Sequence, residues 1–167
     1  MTGGNYHAAK GFIEVVPLAL SMGFNTVEGW YVNYRAHYHF EKKESQIRFS
    51  PYLRYGLASK RWLPRAEFYY QFNPKDPVKV VIEGGAKYQQ FNELEPIIPI
   101  INTAYSLILS NNYLKLYQKE YIKFKFDKEI FRGLEAVFSF EAGRRTALFN
   151  NTDFTIFSDG NDYTPNN

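Results

Sequence analysis

Cysteine is absent from the 167 residues, so disulfide bonds, thiol nucleophiles and thiolate metal sites are excluded at once. Long hydrophobic runs are absent too: no segment reaches the ~18 uncharged apolar residues that a transmembrane helix needs. The opening residues, Met-Thr-Gly-Gly-Asn-Tyr-His, lack the basic stretch and apolar core of a secretory signal. An excess of one charge is also missing. Twenty Lys and Arg are scattered among 17 Asp and Glu, for a net charge of +3 with no basic stripe, and no nucleic-acid partner is expected. Met and Trp occur only twice each, whereas Tyr and Phe number 14 and 15 and make up most of an aromatic content of 19%. Both favour pleated, half-buried surfaces, and Tyr also gathers where membrane meets water. A mean hydropathy of −0.41 excludes a bundle of membrane helices. It does not exclude a transmembrane barrel, which spends half of its residues on a polar interior.

The most informative stretch runs from Glu28 to Glu41. Trp30, Val32, Tyr34, Ala36, Tyr38 and Phe40 alternate with Tyr31, Asn33, Arg35, His37, His39 and Glu41. Successive side chains of a strand point to opposite faces, so this pattern predicts one strand with an aromatic face and a polar face. Ordinary strands peak near ~5–6 residues, whereas a tilted strand crossing a bilayer needs ~9–11. The length therefore points to an outer-membrane β-barrel.

The same alternation recurs downstream. A second strand is expected from Ser45 to Ala58, with Ile47, Phe49, Leu53, Tyr55 and Leu57 opposite Arg48, Ser50, Arg54 and Gly56, interrupted at Pro51. A third places Ala66, Phe68, Tyr70 and Phe72 opposite Arg65, Glu67, Tyr69 and Gln71, before the breaker run Asn73-Pro74-Lys75-Asp76-Pro77. A fourth, from Val78 to about Phe91, alternates Val80, Ile82, Ala86 and Tyr88 with Lys79, Glu83, Lys87 and Gln89. Its Gly84-Gly85 pair suggests a bulge or a close backbone approach. From Pro96 to Tyr117 the apolar spacing turns helical, with Asn102 a plausible N-cap. Strand five follows from Lys119 with a slip at Ile122. Strand six sets Leu134, Ala136, Phe138, Phe140 and Ala142 opposite Glu135, Ser139, Glu141 and Gly143. Upstream, Phe12 to Leu18 reads as an edge strand or a lead-in segment, because Pro17 cannot donate to a central ladder.

These expectations amount to an all-β antiparallel meander of about six long strands, part of a transmembrane β-barrel, with one short helix in a long loop. Residues 1–24 form a lead-in segment, 25–145 the barrel segment with a helical insertion at 96–117, and 146–167 a polar tail. Bacterial single-chain barrels need at least ~8 strands, and lipid does not tolerate open edges. Six strands and no signal together predict a fragment of a longer precursor. Because barrels keep short turns on the periplasmic side, the 92–117 connection and the 144–167 tail are expected outside the cell.

Four phrases carry a family resemblance: Asn25-Thr26-Val27-Glu28-Gly29-Trp30, Arg54-Tyr55-Gly56, Asn112-Tyr113-Leu114-Lys115-Leu116-Tyr117 and Asn150-Asn151-Thr152. In order and spacing they resemble an uncharacterised outer-membrane β-barrel family of Gram-negative bacteria. Its longer members carry a signal peptide and an N-terminal carboxypeptidase-regulatory-like domain. The resemblance implies an outer-membrane location, with outer-membrane lipid, the barrel-assembly machinery and the remainder of the same barrel as partners. It implies no activity and carries over no catalytic residue. The Thr-Pro-Asn-Asn ending departs from the terminal aromatic of assembled barrels.

The candidate lumen-facing polar residues are Arg35, His37, His39, Arg48, Arg54, Glu67, Glu83, Lys87, Glu135 and Glu141. The candidate lipid-facing aromatics are Trp30, Tyr34, Tyr38, Phe40, Phe68, Tyr70, Phe72, Phe138 and Phe140. His37 and His39 with Glu41 could hold a metal, but a solvated polar face explains them more simply, and no metal or cofactor is assigned. Ser45 or Ser50 could lie across the hairpin from His39 as in a serine hydrolase, yet nothing nearby forms a nucleophile elbow. Glu135 and Glu141, with Arg144 and Arg145, read as a structural charge network. Asn150-Asn151-Thr152 fits a glycosylation acceptor only by accident of an Asn-rich loop. The expected role is transport, assembly or surface structure, with no chemistry of the chain's own. The alternative is a soluble antiparallel barrel or sandwich binding a small hydrophobic or sugar ligand.

Overall fold

A computed structural model of the chain describes residues 10–17, 21–42, 44–73, 77–92, 94, 96–109, 111–156 and 163–166. The alternating segments form the strands β1 (Lys10–Val15), β2 (Met22–Asn25), β3 (Gly29–Lys42), β4 (Ser45–Gly56), β5 (Arg61–Phe72), β6 (Val78–Gln90), β7 (Leu116–Phe131) and β8 (Leu134–Ala147). One helix, α1 (Pro99–Leu109), stands between β6 and β7. All strands join one antiparallel sheet in the order β1-β3-β4-β5-β6-β7-β8, and β2 pairs with β3 beyond β1. The sheet is open: β1 and β8 are its two ends.

Six long strands are β3 to β8, as the alternation predicts. Of the two readings of Phe12 to Leu18 the edge strand matches β1, which runs Lys10–Val15 at the end of the sheet; β2, lying end to end with it along β3, is not among the expected strands. Leu18, and residues 1–9 of the lead-in segment, lie outside the described residues. Pro51 does not end β4, which runs through it and pairs it with Ala66 of β5. Pro64 likewise sits within β5, opposite Leu53. Each proline removes one ladder donor but keeps an extended φ, so the strand survives the local loss. The slip at Ile122 is absent: Ile122, Phe124 and Phe126 share one face, and Tyr121 joins Lys123 and Lys125 on the other.

Gly84-Gly85 produces a close approach without a bulge. The β6–β7 register is continuous through both, and Gly85 has a φ of 131°. A Cβ there would sit 2.6 Å from Arg65 Cα, and the β5–β6 ladder stops at this pair. Asn102 is not an N-cap. The helix opens at Pro99, whose ring suits the first position, and Ile98 O accepts from both Ile101 N and Asn102 N. The breaker residues 74–76 lie outside the described residues.

The registers line side chains into rows. Tyr38, Phe49, Phe68, Ile82, Phe124 and Phe140 make one row across six strands, and Phe40, Ile47, Tyr70, Val80, Phe126 and Phe138 make the next. Half of these twelve side chains are exposed, among them Phe40 at 49%, Phe68 at 39% and Phe138 at 59%, and the other six are half-buried. On the opposite face Ser50 is 0% and Lys119, Tyr121 and Asp127 each 7% accessible. The apolar rows thus lie uncovered while the polar face of β3 to β7 is largely buried or half-buried, the opposite of the usual arrangement of a water-soluble fold; β8 is exposed on both faces.

Candidate functional site

The polar face is built by the odd-numbered residues of β3, β5, β6, β7 and β8 and the even-numbered ones of β4. It collects the ten polar candidates named from the sequence. His37 Nδ1 and Ser50 Oγ share a hydrogen bond of 2.7 Å, and His39 lies 3.9 Å from Glu14 while its ring stacks on Phe12 at 4.3 Å. Arg48 donates to Glu67 at 2.9 Å, Arg65 lies 3.4 Å from Glu83, and Lys119 pairs with Glu141 at 2.6 Å. Glu135 stands at the far edge, 3.9 Å from Lys79. The face is therefore laced by cross-strand ion pairs, with arginines also lying over tyrosine rings: Arg54 on Tyr31 at 3.7 Å and Arg65 on Tyr52 at 4.0 Å.

The hydrolase pairing changes partner in the structure. Ser50 meets His37, not His39, and is fully buried, so its hydroxyl braces the strand pair instead of meeting a substrate. Among the described residues no group of three His, Asp or Glu side chains is placed to hold a metal ion. The His37 and His39 rings are 6.2 Å apart, and Glu41 is exposed at the opposite end of the strand from the capped one described next.

One end of the sheet is capped, and the four resemblance phrases meet there. Asn25 closes the β2–β3 turn, its Oδ1 accepting from Val27 N and Glu28 N at 3.0 and 2.8 Å. Short polar side chains that bond their own backbone two or three residues on favour such a turn. Its Nδ2 donates to Glu28 Oε2 at 2.7 Å, and Arg54 holds the same fully buried carboxylate in a two-point grip. Thr26 Oγ1 donates to Asn150 Oδ1 and accepts from Asn112 Nδ2, both at 2.7 Å. Asn151 Nδ2 donates to Val27 O at 2.6 Å. Asn102, on α1, accepts from Tyr113 N and Leu114 N. Asn166 of the tail donates to Leu116 O and Leu148 O. Beneath this network Val27, Leu114, Leu116 and Leu148 pack with Tyr88 and Ile97. Burial beside Asp153 pushes the Tyr163 hydroxyl up, and it stays a donor to Ser106 O and Phe154 O.

The nine aromatic candidates fall on the exposed face. Both tryptophans of the chain sit on it at the capped end, Trp62 against Tyr55 at 4.5 Å and Trp30 against Phe24 at 5.7 Å.

The sequence reading missed Glu28, Thr26, Asn112 and Asn166 as a set, and also Arg65 and Lys119. Only the quoted phrases signalled the first three.

A model described as "Family of unknown function (DUF5686) C-terminal domain" matches residues 1–167. The chain belongs to this family. No curated protein and no solved structure matches it. Membership of this uncharacterised family assigns neither a location nor an activity.

Proposed function

We propose that this family member is a segment of an outer-membrane β-barrel, with its aromatic face against lipid and its polar face lining a lumen. Its role is transport, assembly or surface structure, with no chemistry of its own. The observation that carries the reading is the distribution of burial across one sheet: two unbroken apolar rows lie uncovered, with half of their side chains exposed, while the charged face of β3 to β7 is largely buried or half-buried. In lipid the apolar rows need no cover, whereas in water they form a patch far larger than a soluble monomer tolerates. Strand length supports it as well. The shortest long strands, β4 and β5, have 12 residues, which at ~3.3 Å per residue and a tilt of ~40° rise roughly 30 Å, the depth of the hydrocarbon core. Both tryptophans sit at one margin of the apolar band, where membrane proteins place them. Two open edges cannot persist in lipid, so the partners are the remaining strands of the same barrel, the machinery that assembles it, and outer-membrane lipid. The longer relatives implied by the resemblance, with a signal peptide and an N-terminal carboxypeptidase-regulatory-like domain, would supply that remainder.

Far-UV circular dichroism of the purified chain in buffer and in detergent micelles tests the proposal. Strand signal that develops only with detergent is the expected result. A monomeric, cooperatively unfolding chain in plain buffer overturns it in favour of a soluble barrel or sandwich with an apolar or sugar ligand.

A further inference from the structure

The polar face holds a cavity of about 190 Å³ between β3, β4, β5 and β6, walled by Arg35, Arg54, Arg65, Lys87, Tyr52 and Tyr88. Four cations line it. Arg54 is neutralised by the buried carboxylate of Glu28, and Arg65 faces Glu83, whose carboxylate also accepts from the Tyr121 hydroxyl. Arg35 and Lys87 have no carboxylate within ion-pair distance among the described residues. Arg35 Nε is buried with no acceptor, its guanidinium lying 5.0 Å over the Tyr52 ring. Lys87 Nζ lies 4.8 Å from the Tyr121 ring centre.

A buried guanidinium nitrogen with no acceptor is an unmet demand, because an orphaned charged donor forfeits its hydration. Among the described residues Arg48, Arg54, Arg65, Lys79, Lys119 and Lys125 of this face each have a carboxylate within ion-pair distance, so Arg35 and Lys87 leave unpaired positive charge inside the cavity. We propose that this cavity binds a small oxyanion, a phosphate or carboxylate group, held by the Arg35 fork with Lys87 and Arg65 converging on it. Planar guanidinium forks match two oxygens of such a group, and the tyrosine rings hold the forks in place. The volume suits a phosphate or a short dicarboxylate and excludes a drug-sized molecule. The ligand enters from the polar side, since the aromatic rows close the other face. The site names an anionic solute for the proposed lumen and rests on that reading for its biological setting, though not for its chemistry.

Calorimetric titration of inorganic phosphate into the folded full chain, at constant ionic strength with chloride as the replaced ion, tests the site. One saturable site is expected, weakened roughly tenfold or more in Arg35→Gln and in Lys87→Gln, as follows from losing a hydrogen bond to a charged group. Arg35→Lys keeps the charge without the fork and should fall between. Arg132→Gln, in the β7–β8 turn, should bind like the unaltered chain. Each variant is checked for unaltered strand signal, and Lys87→Gln carries the test if Arg35→Gln does not fold. Binding without saturation, or an equal loss in Arg132→Gln, overturns the site and indicates general screening. Micelles of phosphatidylcholine and of phosphatidylglycerol separate the sources. Weaker phosphate binding in the anionic lipid assigns a headgroup as the competing ligand, and unchanged binding assigns a free solute. Saturable binding by a chain that folds without detergent keeps the site and removes the membrane setting.

Discussion

At the scale of single residues, the strongest commitments are made by groups that cannot be solvated. Glu28 has no exposed surface and holds Arg54 and Asn25 together. Removing one member of a buried pair leaves the other charge uncompensated, which costs ~3–5 kcal/mol. Glu28→Gln is therefore expected to lower the unfolding free energy by about that amount, read from denaturant titration under the conditions in which the chain folds. A loss below ~1 kcal/mol would reveal a pair still open to solvent. Glycines make a second residue-scale contrast. Gly85 and Gly133 both have positive φ, 131° and 83°, but a Cβ at Gly133 meets nothing within 4 Å. Gly133→Ala should cost only the conformational strain, ~1–3 kcal/mol. Gly85→Ala adds a collision with the Arg65 backbone and should cost clearly more, a ranking the same titration reads directly.

At the scale of elements, the two-residue period located all six long strands, because alternation is written into each strand without help from its neighbours. The helix was legible for the same reason. What escaped was set by partners distant in sequence. β2 has four residues, too short to announce a period, and β1 has six, which left its edge strand undecided against a lead-in; both pair along β3. Asn102 looked like an N-cap because Asn often caps helices. Its amide instead bridges to the Asn112–Leu114 segment, a contact no local rule foresees. The polar candidates were legible as a face, but not as pairs. His37 finds Ser50, and Lys119 finds Glu141, only through register. The apolar rows permit a decisive element-scale test. Ile82 lies mid-row and is 43% accessible. If the row faces lipid, Ile82→Lys near the bilayer midplane destabilises by ~2–4 kcal/mol. If it faces water, an exposed substitution stays within ~0.5 kcal/mol. Unfolding from detergent or lipid vesicles distinguishes the two, and a null effect would count against a lipid-facing row.

At the scale of the whole molecule, the sheet has two unlike ends. The β2–β3 turn, the β4–β5 turn, the β6–β7 connection with α1, and the segment after β8 all lie at one end, where they knit the Asn-rich cap. The β3–β4, β5–β6 and β7–β8 connections lie at the other, and Arg132-Gly133 is all that separates β7 from β8. The antiparallel order alone forces this division, because successive turns alternate between ends. Barrels of the outer membrane keep their short turns on the periplasmic side. Under the proposed membrane reading the capped end is therefore extracellular, with Trp30 and Trp62 marking the outer boundary of the bilayer. Protease added to intact cells should then cut within residues 91–115 or 148–166, while the β3–β4 and β7–β8 turns stay protected until the cells are opened. The buried cap slows cleavage at Asn112 and Asn166, so the exposed positions around Leu94 and Phe154 are where cuts are expected. Cleavage confined to the short turns would invert the orientation. Protection of both long segments in intact cells, with cutting on lysis, would do the same and place the cap in the periplasm.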